Sequence, residues 1–116
     1  DLTGQIAAES LGASLVSGTG GHLAFATGAA MAKEGRYITV MPSTARSGAV
    51  SRIVPQFDRG TIVTVPRTLA HYVVTEHGVA NLKGGTQRQR AEALIEIAHP
   101  DFKDELRSEA RKLLWP

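Results

Sequence analysis

The apolar positions of this 116-residue chain change their spacing about two-thirds of the way along. Up to Gly85, short runs rich in β-branched residues recur: Leu15-Val16, Tyr37 to Met41, Ile62 to Val65 and Tyr72 to Thr75. Several are nearly continuous rather than alternating in polarity, the pattern of strands covered on both faces. One helix is predicted among them, over Gly21 to Lys33. It carries Leu23, Ala26, Ala30 and Met31 on one face, with Gly35 as its C-cap. Beyond Gly85 there is no glycine and the spacing becomes helical. Thr86 followed by Gln89 matches a capping box, and Ala91, Leu94, Ile95 and Ala98 follow it. His99-Pro100 interrupts the run, because proline disfavours helical backbone in the residue before it. A second helix then carries Phe102, Leu106, Ala110 and Leu113 on one stripe. The order is strand, glycine turn, helix, three or four further strands and two helices. It predicts an α/β fold with an open, mostly parallel or mixed sheet and flanking helices.

Composition narrows the function. A length of 116 residues allows one domain with a modest core. No apolar run approaches the roughly 18 residues that a membrane-spanning helix needs, so no membrane partner is expected. The formal net charge is only +2. From Lys83 to Lys112 the chain alternates seven Lys/Arg with six Asp/Glu, which predicts a solvated helix surface rather than the unbalanced basic stripe of a nucleic-acid face. The absence of cysteine excludes a disulfide framework, a thiolate nucleophile and a cysteine-based metal site, and fits a cytoplasmic protein. The start at Asp1 rather than Met reads as a processed or excised piece of something longer.

Three segments could carry chemistry. Ser17-Gly18-Thr19-Gly20-Gly21 lies between a short strand and a helix. Its glycines allow positive φ and close approach of backbone to a ligand. The helix start behind it offers free N–H groups to a phosphate, carboxylate or oxyanion. The dinucleotide fingerprint is not met, and on local grounds a structural turn and a ligand loop stand level. Pro42 to Gly48 follows a strand directly, a position where α/β proteins bind ligands, though any connecting turn has the same composition. His71-Tyr72-Val73-Val74-Thr75-Glu76-His77-Gly78 suggests a metal site at first sight. Strand geometry sends His71 and Glu76 to opposite faces, Glu76 and His77 are adjacent, and no H-E-x-x-H pattern exists, so no metal is expected.

Taken together, these segments resemble the acetyl-CoA hydrolase/CoA-transferase family. Asp1-Leu2-Thr3-Gly4-Gln5 with Glu9-Ser10 resembles its D-L-x-G-Q-x-x-x-E-S stretch, and Ser17 to Phe25 resembles S-G-x-G-G-Q-x-D-F. Pro42-Ser43-Thr44-Ala45 with Ser51-Arg52-Ile53-Val54-Pro55 is similar to P-S-T-A…S-R-I-V-P. His71 to Gly84 resembles H-Y-V-V-T-E-Y-G-V-A-D-L-R-G, and Ile97 to Phe102 resembles I-A-H-P-x-F. The five blocks fall in order along nearly the whole chain.

The resemblance implies that residues 1–116 are the C-terminal portion of that family's C-terminal domain, in a class I CoA-transferase-like (NagB/RpiA-like) fold of two similar open α/β domains. It implies a CoA-transferase or acyl-CoA hydrolase that moves CoA between carboxylic acids through a glutamyl-CoA thioester, with water as the alternative acceptor. The nucleophilic glutamate is expected upstream in an E-x-x-S-D-G-like segment that this chain lacks. Glu9, Glu34 and Glu76 do not occupy such a segment. No catalytic residue is therefore assigned here, and the isolated piece is expected to be inactive. Gly18, Gly20 and Gly21 would supply the oxyanion-stabilising and CoA-contacting turn. The implied partners are acyl-CoA, small carboxylates, the remainder of the parent enzyme and a second copy in a homodimer. Coenzyme A enters as a substrate, with no metal or covalently bound cofactor. The competing readings are a stand-alone, non-catalytic CoA- or acyl-CoA-binding module and an oligomerisation module. Three positions depart from the family pattern: His22 stands where Gln or Ser is common, and Ala24 and Asn81 stand where Asp is usual.

Overall fold

The computed structural model describes residues 1–115. Its centre is a three-stranded mixed sheet of β3 (Ile38–Val40), β6 (Tyr72–Thr75) and β7 (Gly78–Asn81). β3 runs parallel to β6, with Ile38 opposite Tyr72 and Val40 opposite Val74. β6 turns back into β7 through Glu76-His77, pairing Val73 with Ala80 and Val74 with Val79. Two minor hairpins flank the sheet, β1 (Ser10–Leu11) with β2 (Ser14–Leu15) and β4 (Thr44–Ala45) with β5 (Val50–Ser51). The helices are α1 (His22–Met31), α2 (Gln87–Glu96) and α3 (Pro100–Leu114). The α/β class and mixed sheet agree with the sequence pattern.

Helices α2 and α3 form for the reasons their sequence carries. The capping box is present: Gln89 N–H donates to Thr86 Oγ1 at 3.3 Å, and Thr86 N–H donates to Gln89 Oε1 at 2.9 Å. His99 caps α3 and Pro100 opens it, where a missing N–H costs nothing. The buried faces, Ala91, Leu94 and Ile95 from α2 and Leu106 and Ala110 from α3, cover one side of the sheet with Val73, Ala80 and Leu82. Thr75 Oγ1 ties sheet to helices by donating to the Ile97 carbonyl at 2.6 Å. Phe102 is half-buried against this core, whereas Leu113 is exposed.

Several expectations are corrected. Ile62 to Val65 is not a strand, because only Val65 bridges to Ile6. The Leu15-Val16 run yields a two-residue strand ending at Leu15. The Pro42 to Gly48 segment contains β4, and left-handed Arg46 and Ser47 form the tip of its hairpin. Of the predicted α1 face only Ala26 is buried; Leu23 and Met31 are exposed. Gly35 lies beyond the cap at Ala32, and what demands glycine there is close approach, since a Cβ would sit 1.9 Å from the Ala29 carbonyl oxygen. Most of the charged positions of α2 and α3 form exposed pairs such as Arg88–Glu92 and Arg107–Glu96. Arg90 does not. It is only 8% exposed, and its guanidinium donates to the carbonyls of Thr3 and Arg67.

Two apolar surfaces have no cover within the described residues. α1 has no charged side chain from His22 to Met31, yet Phe25 is 77% and Met31 82% exposed. The sheet face opposite α2 and α3 presents Ile38, Val40 and Val79 to solvent. Among the described residues, no helix is long and apolar enough to cross a membrane.

Candidate functional site

The glycine turn hangs from the β1–β2 hairpin. Val16 and Ser17 N–H both donate to the Glu9 carbonyl, at 2.8 and 3.0 Å, which fixes where the turn begins. Its far end closes on α1, with His22 N–H donating to Thr19 O at 3.3 Å and Phe25 N–H to Gly21 O at 2.9 Å. Gly20 is left-handed at φ +51°, which an L side chain resists. Gly21 caps α1 without any side-chain hydrogen bond. Among the described residues, no group accepts from the N–H of Gly18, Thr19, Gly20 or Gly21. Gly18, Gly20 and Gly21 are all exposed. The turn is a short arc of unpaired donors at a helix N-terminus, where an anion or developing oxyanion gains most.

Below the turn stands Tyr37, the buried residue that leads into β3. Its hydroxyl meets His22 Nε2, and the two ring centroids are 5.8 Å apart. Burial pushes the Tyr37 phenol above its ordinary value, so it stays protonated near neutrality. No sequence signal marked this residue as part of the site.

The second segment proves to be a clamp. Ser43 is fully buried; its N–H donates to Glu76 Oε2 at 2.8 Å and its Oγ to Glu76 Oε1 at 2.6 Å. The Ser43 hydroxyl, with backbone amides of Glu76 and Ser43, lowers the Glu76 carboxyl from 4.5 to about 2. Ser43 O accepts from Arg52 N–H at 2.8 Å, and Arg52 Nε donates to Thr44 O at 3.2 Å, so the P-S-T-A and S-R-I-V-P blocks form one unit. Between that unit and the N-terminal segment lies a cleft of about 300 Å³, lined among others by Ala7, Leu11, Met41, Val50, Arg52 and Phe57. Met41 follows β3 directly, so the cleft opens at a carboxyl end of the sheet, where α/β folds bind ligands.

The third segment is dispersed. His71 stacks on Tyr72 with centroids 4.2 Å apart, and burial, Lys83 and Arg36 lower its pKa. Glu76 spends both oxygens on Ser43, and His77 Nε2 lies 3.6 Å from Oε1 while its ring abuts His99. Among the described residues no three His, Cys, Asp or Glu side chains are grouped as metal ligands would be.

Residues 1–110 match the family "Acetyl-CoA hydrolase/transferase C-terminal domain". The chain is 52% identical over 112 residues to the 4-hydroxybutyrate coenzyme A transferase of Clostridium kluyveri, covering 97% of this chain and 26% of that protein. It is 50% identical over 119 residues to the butyryl-CoA:acetate CoA-transferase of Anaerostipes caccae, covering 99% of this chain and 27% of that one. Among solved structures, RipA from Yersinia pestis superposes with a TM-score of 0.88 at 49% identity, over 97% of this chain and 25% of RipA. The chain thus spans about a quarter of the length of the curated relatives it matches.

Proposed function

The chain belongs to the acetyl-CoA hydrolase/transferase C-terminal domain family, and on that premise we propose that it is the end of a longer CoA-transferase or acyl-CoA hydrolase. The enzyme moves CoA between carboxylic acids through a glutamate supplied from outside these residues. That carboxylate attacks the thioester carbonyl of an acyl-CoA, and the tetrahedral adduct carries its charge on oxygen. Collapse expels CoA thiolate and leaves an acyl-glutamyl anhydride. The thiolate then attacks the glutamyl carbonyl, releasing the first carboxylate and forming a glutamyl-CoA thioester. An acceptor carboxylate reverses the sequence, or water hydrolyses the thioester.

The observation that carries this reading is the exposed arc of N–H groups from Gly18 to Gly21, free of any internal acceptor. Fixed donors of this kind stabilise a tetrahedral oxyanion without reorganising as charge develops. The bare α1 and the open face of Ile38, Val40 and Val79 support a longer parent. Strands in parallel register are ordinarily covered on both faces, and a helix apolar all round belongs in an interior. The remainder of the parent is the cover these surfaces call for, in the two-domain, NagB/RpiA-like arrangement of class I CoA-transferases.

The test is to incubate the longer parent with acyl-CoA without an acceptor and search its peptides by mass spectrometry. A CoA thioester on one glutamate outside these 116 residues, discharged by acetate, is expected. A parent that neither acquires the adduct nor exchanges CoA between acyl-CoA and acetate would refute the reading and favour a binding or oligomerisation module.

A further inference from the structure

α1 rests on little. Its buried or half-buried apolar contacts are Ala26 and Ala29, which cluster with Tyr37, Val65, Ile6 and Leu69. No acidic residue stands in its first turn, no basic residue in its last, and its N-cap makes no side-chain hydrogen bond. Tyr37 holds it in two ways. The ring packs in the cluster with Ala26, and the hydroxyl reaches past it to the imidazole of His22. His22 is the first residue of α1, follows Gly21 directly, and returns its own N–H to Thr19 O. Any displacement of His22 therefore passes straight into the turn. On its other side, among the described residues, the backbone hydrogen bonds that hold the turn both go to the Glu9 carbonyl.

We propose that Tyr37, acting through His22, is a positioning residue that sets the direction of the Gly18-to-Gly21 amides. The proposal rests on the reading of that turn as the oxyanion- and CoA-contacting loop. Three glycines in four exposed residues leave the backbone much freedom, while oxyanion donors act only when prealigned. Something rigid must then fix the turn, and a buried phenol rooted beside the central sheet is the rigid body within reach. His22 stands where the family pattern has Gln or Ser, and in this chain its ring nitrogen meets that hydroxyl.

The experiment uses the longer parent enzyme. Tyr37→Phe keeps the ring against Ala26 and removes only the hydroxyl, and His22→Ala removes the other half of the contact. Each should lower kcat about tenfold, since small misplacements near the reacting atoms cost large factors, with KM for acyl-CoA little changed. The double variant should be no slower than either single one, because both delete the same contact. His22→Gln, whose amide can meet the hydroxyl, should restore most of the rate. Independently of activity, hydrogen exchange in peptides spanning Gly21 to Ala32 should speed up several-fold in Tyr37→Phe as α1 loosens. Unchanged exchange overturns the anchoring role. Losses that multiply in the double variant, or faster exchange with wild-type kcat, overturn the link from anchor to chemistry. A wild-type parent with no CoA transfer would instead remove the function proposed above, and the exchange result would still decide whether Tyr37 holds the helix.

Discussion

Replacing Gly20 by valine in the longer enzyme should lower kcat for CoA transfer by about 100- to 1,000-fold, the loss that follows removal of one oxyanion donor, about 2.7–4 kcal/mol. Gly20 sits at φ +51°. A β-branched residue held there costs roughly 1–2 kcal/mol. Nothing lies within 4 Å of the place its Cβ would occupy, so the backbone is free to escape to negative φ rather than clash. That escape rotates the peptide planes on either side of residue 20 and swings the N–H groups of Gly20 and Gly21 away from a common target. The cost to folding stays near 1–2 kcal/mol, against a total of about 5–15 for a typical protein, so the variant should fold. Gly18→Ala is the control. Its φ is not positive and its added methyl would meet nothing within 4 Å, which predicts a stability change within about 0.5 kcal/mol, so any turnover it loses is lost in the turn and not in folding. The assay is initial-rate transfer from acyl-CoA to acetate, with circular dichroism on each variant. Near-normal kcat in a well-folded Gly20→Val protein would show the turn to be structural only.

Four further outcomes are expected. Thr86→Ala should destabilise the fold by about 1 kcal/mol in urea titration through loss of the capping box; no change would mean that α2 is held by packing alone. Arg90→Met removes the donor to the Thr3 and Arg67 carbonyls and should lower stability by about 1 kcal/mol for the hydrogen bonding lost, seen as a lower urea midpoint. Glu76 titrates at about 2 when folded and at 4.5 otherwise, so its clamp on Ser43 stabilises fully above pH 4.5 and the benefit fades as pH falls toward 2. The stability gap between wild type and Glu76→Gln should therefore close over that window, and a gap independent of pH would rule the ionised clamp out. Protein purified without affinity metal should hold no stoichiometric zinc or manganese and keep its melting temperature in EDTA; one equivalent of zinc lost together with stability would reopen a metal site at His71, Glu76 and His77.

What the chain could declare by itself is what lies close in sequence. The Thr86/Gln89 box, the helices α2 and α3, the break at His99-Pro100 and the run Tyr72 to Thr75 each depend on neighbours a few residues apart and formed where the pattern put them, though Leu113 of the α3 stripe is exposed and Ala98 lies past the end of α2. The ordered motif blocks carried the family for the same reason, since a motif is local chemistry repeated. Long-range pairing was decided only by the folded chain. Ile62 to Val65 has strand composition but found one bridge and no ladder, because a strand requires a partner of matching register. Arg90 shares the charged pattern of its neighbours, yet it is buried because the Thr3 and Arg67 carbonyls, 87 and 23 residues away, converge on it. The Ser43–Glu76 clamp joins residues 33 apart. The site likewise divides in two: the glycines were visible as a turn, while their anchor, Tyr37, depends on α1 folding back until His22 meets a phenol 15 residues downstream. Local periodicity records which face a residue would turn inward, and only tertiary packing settles what stands opposite it.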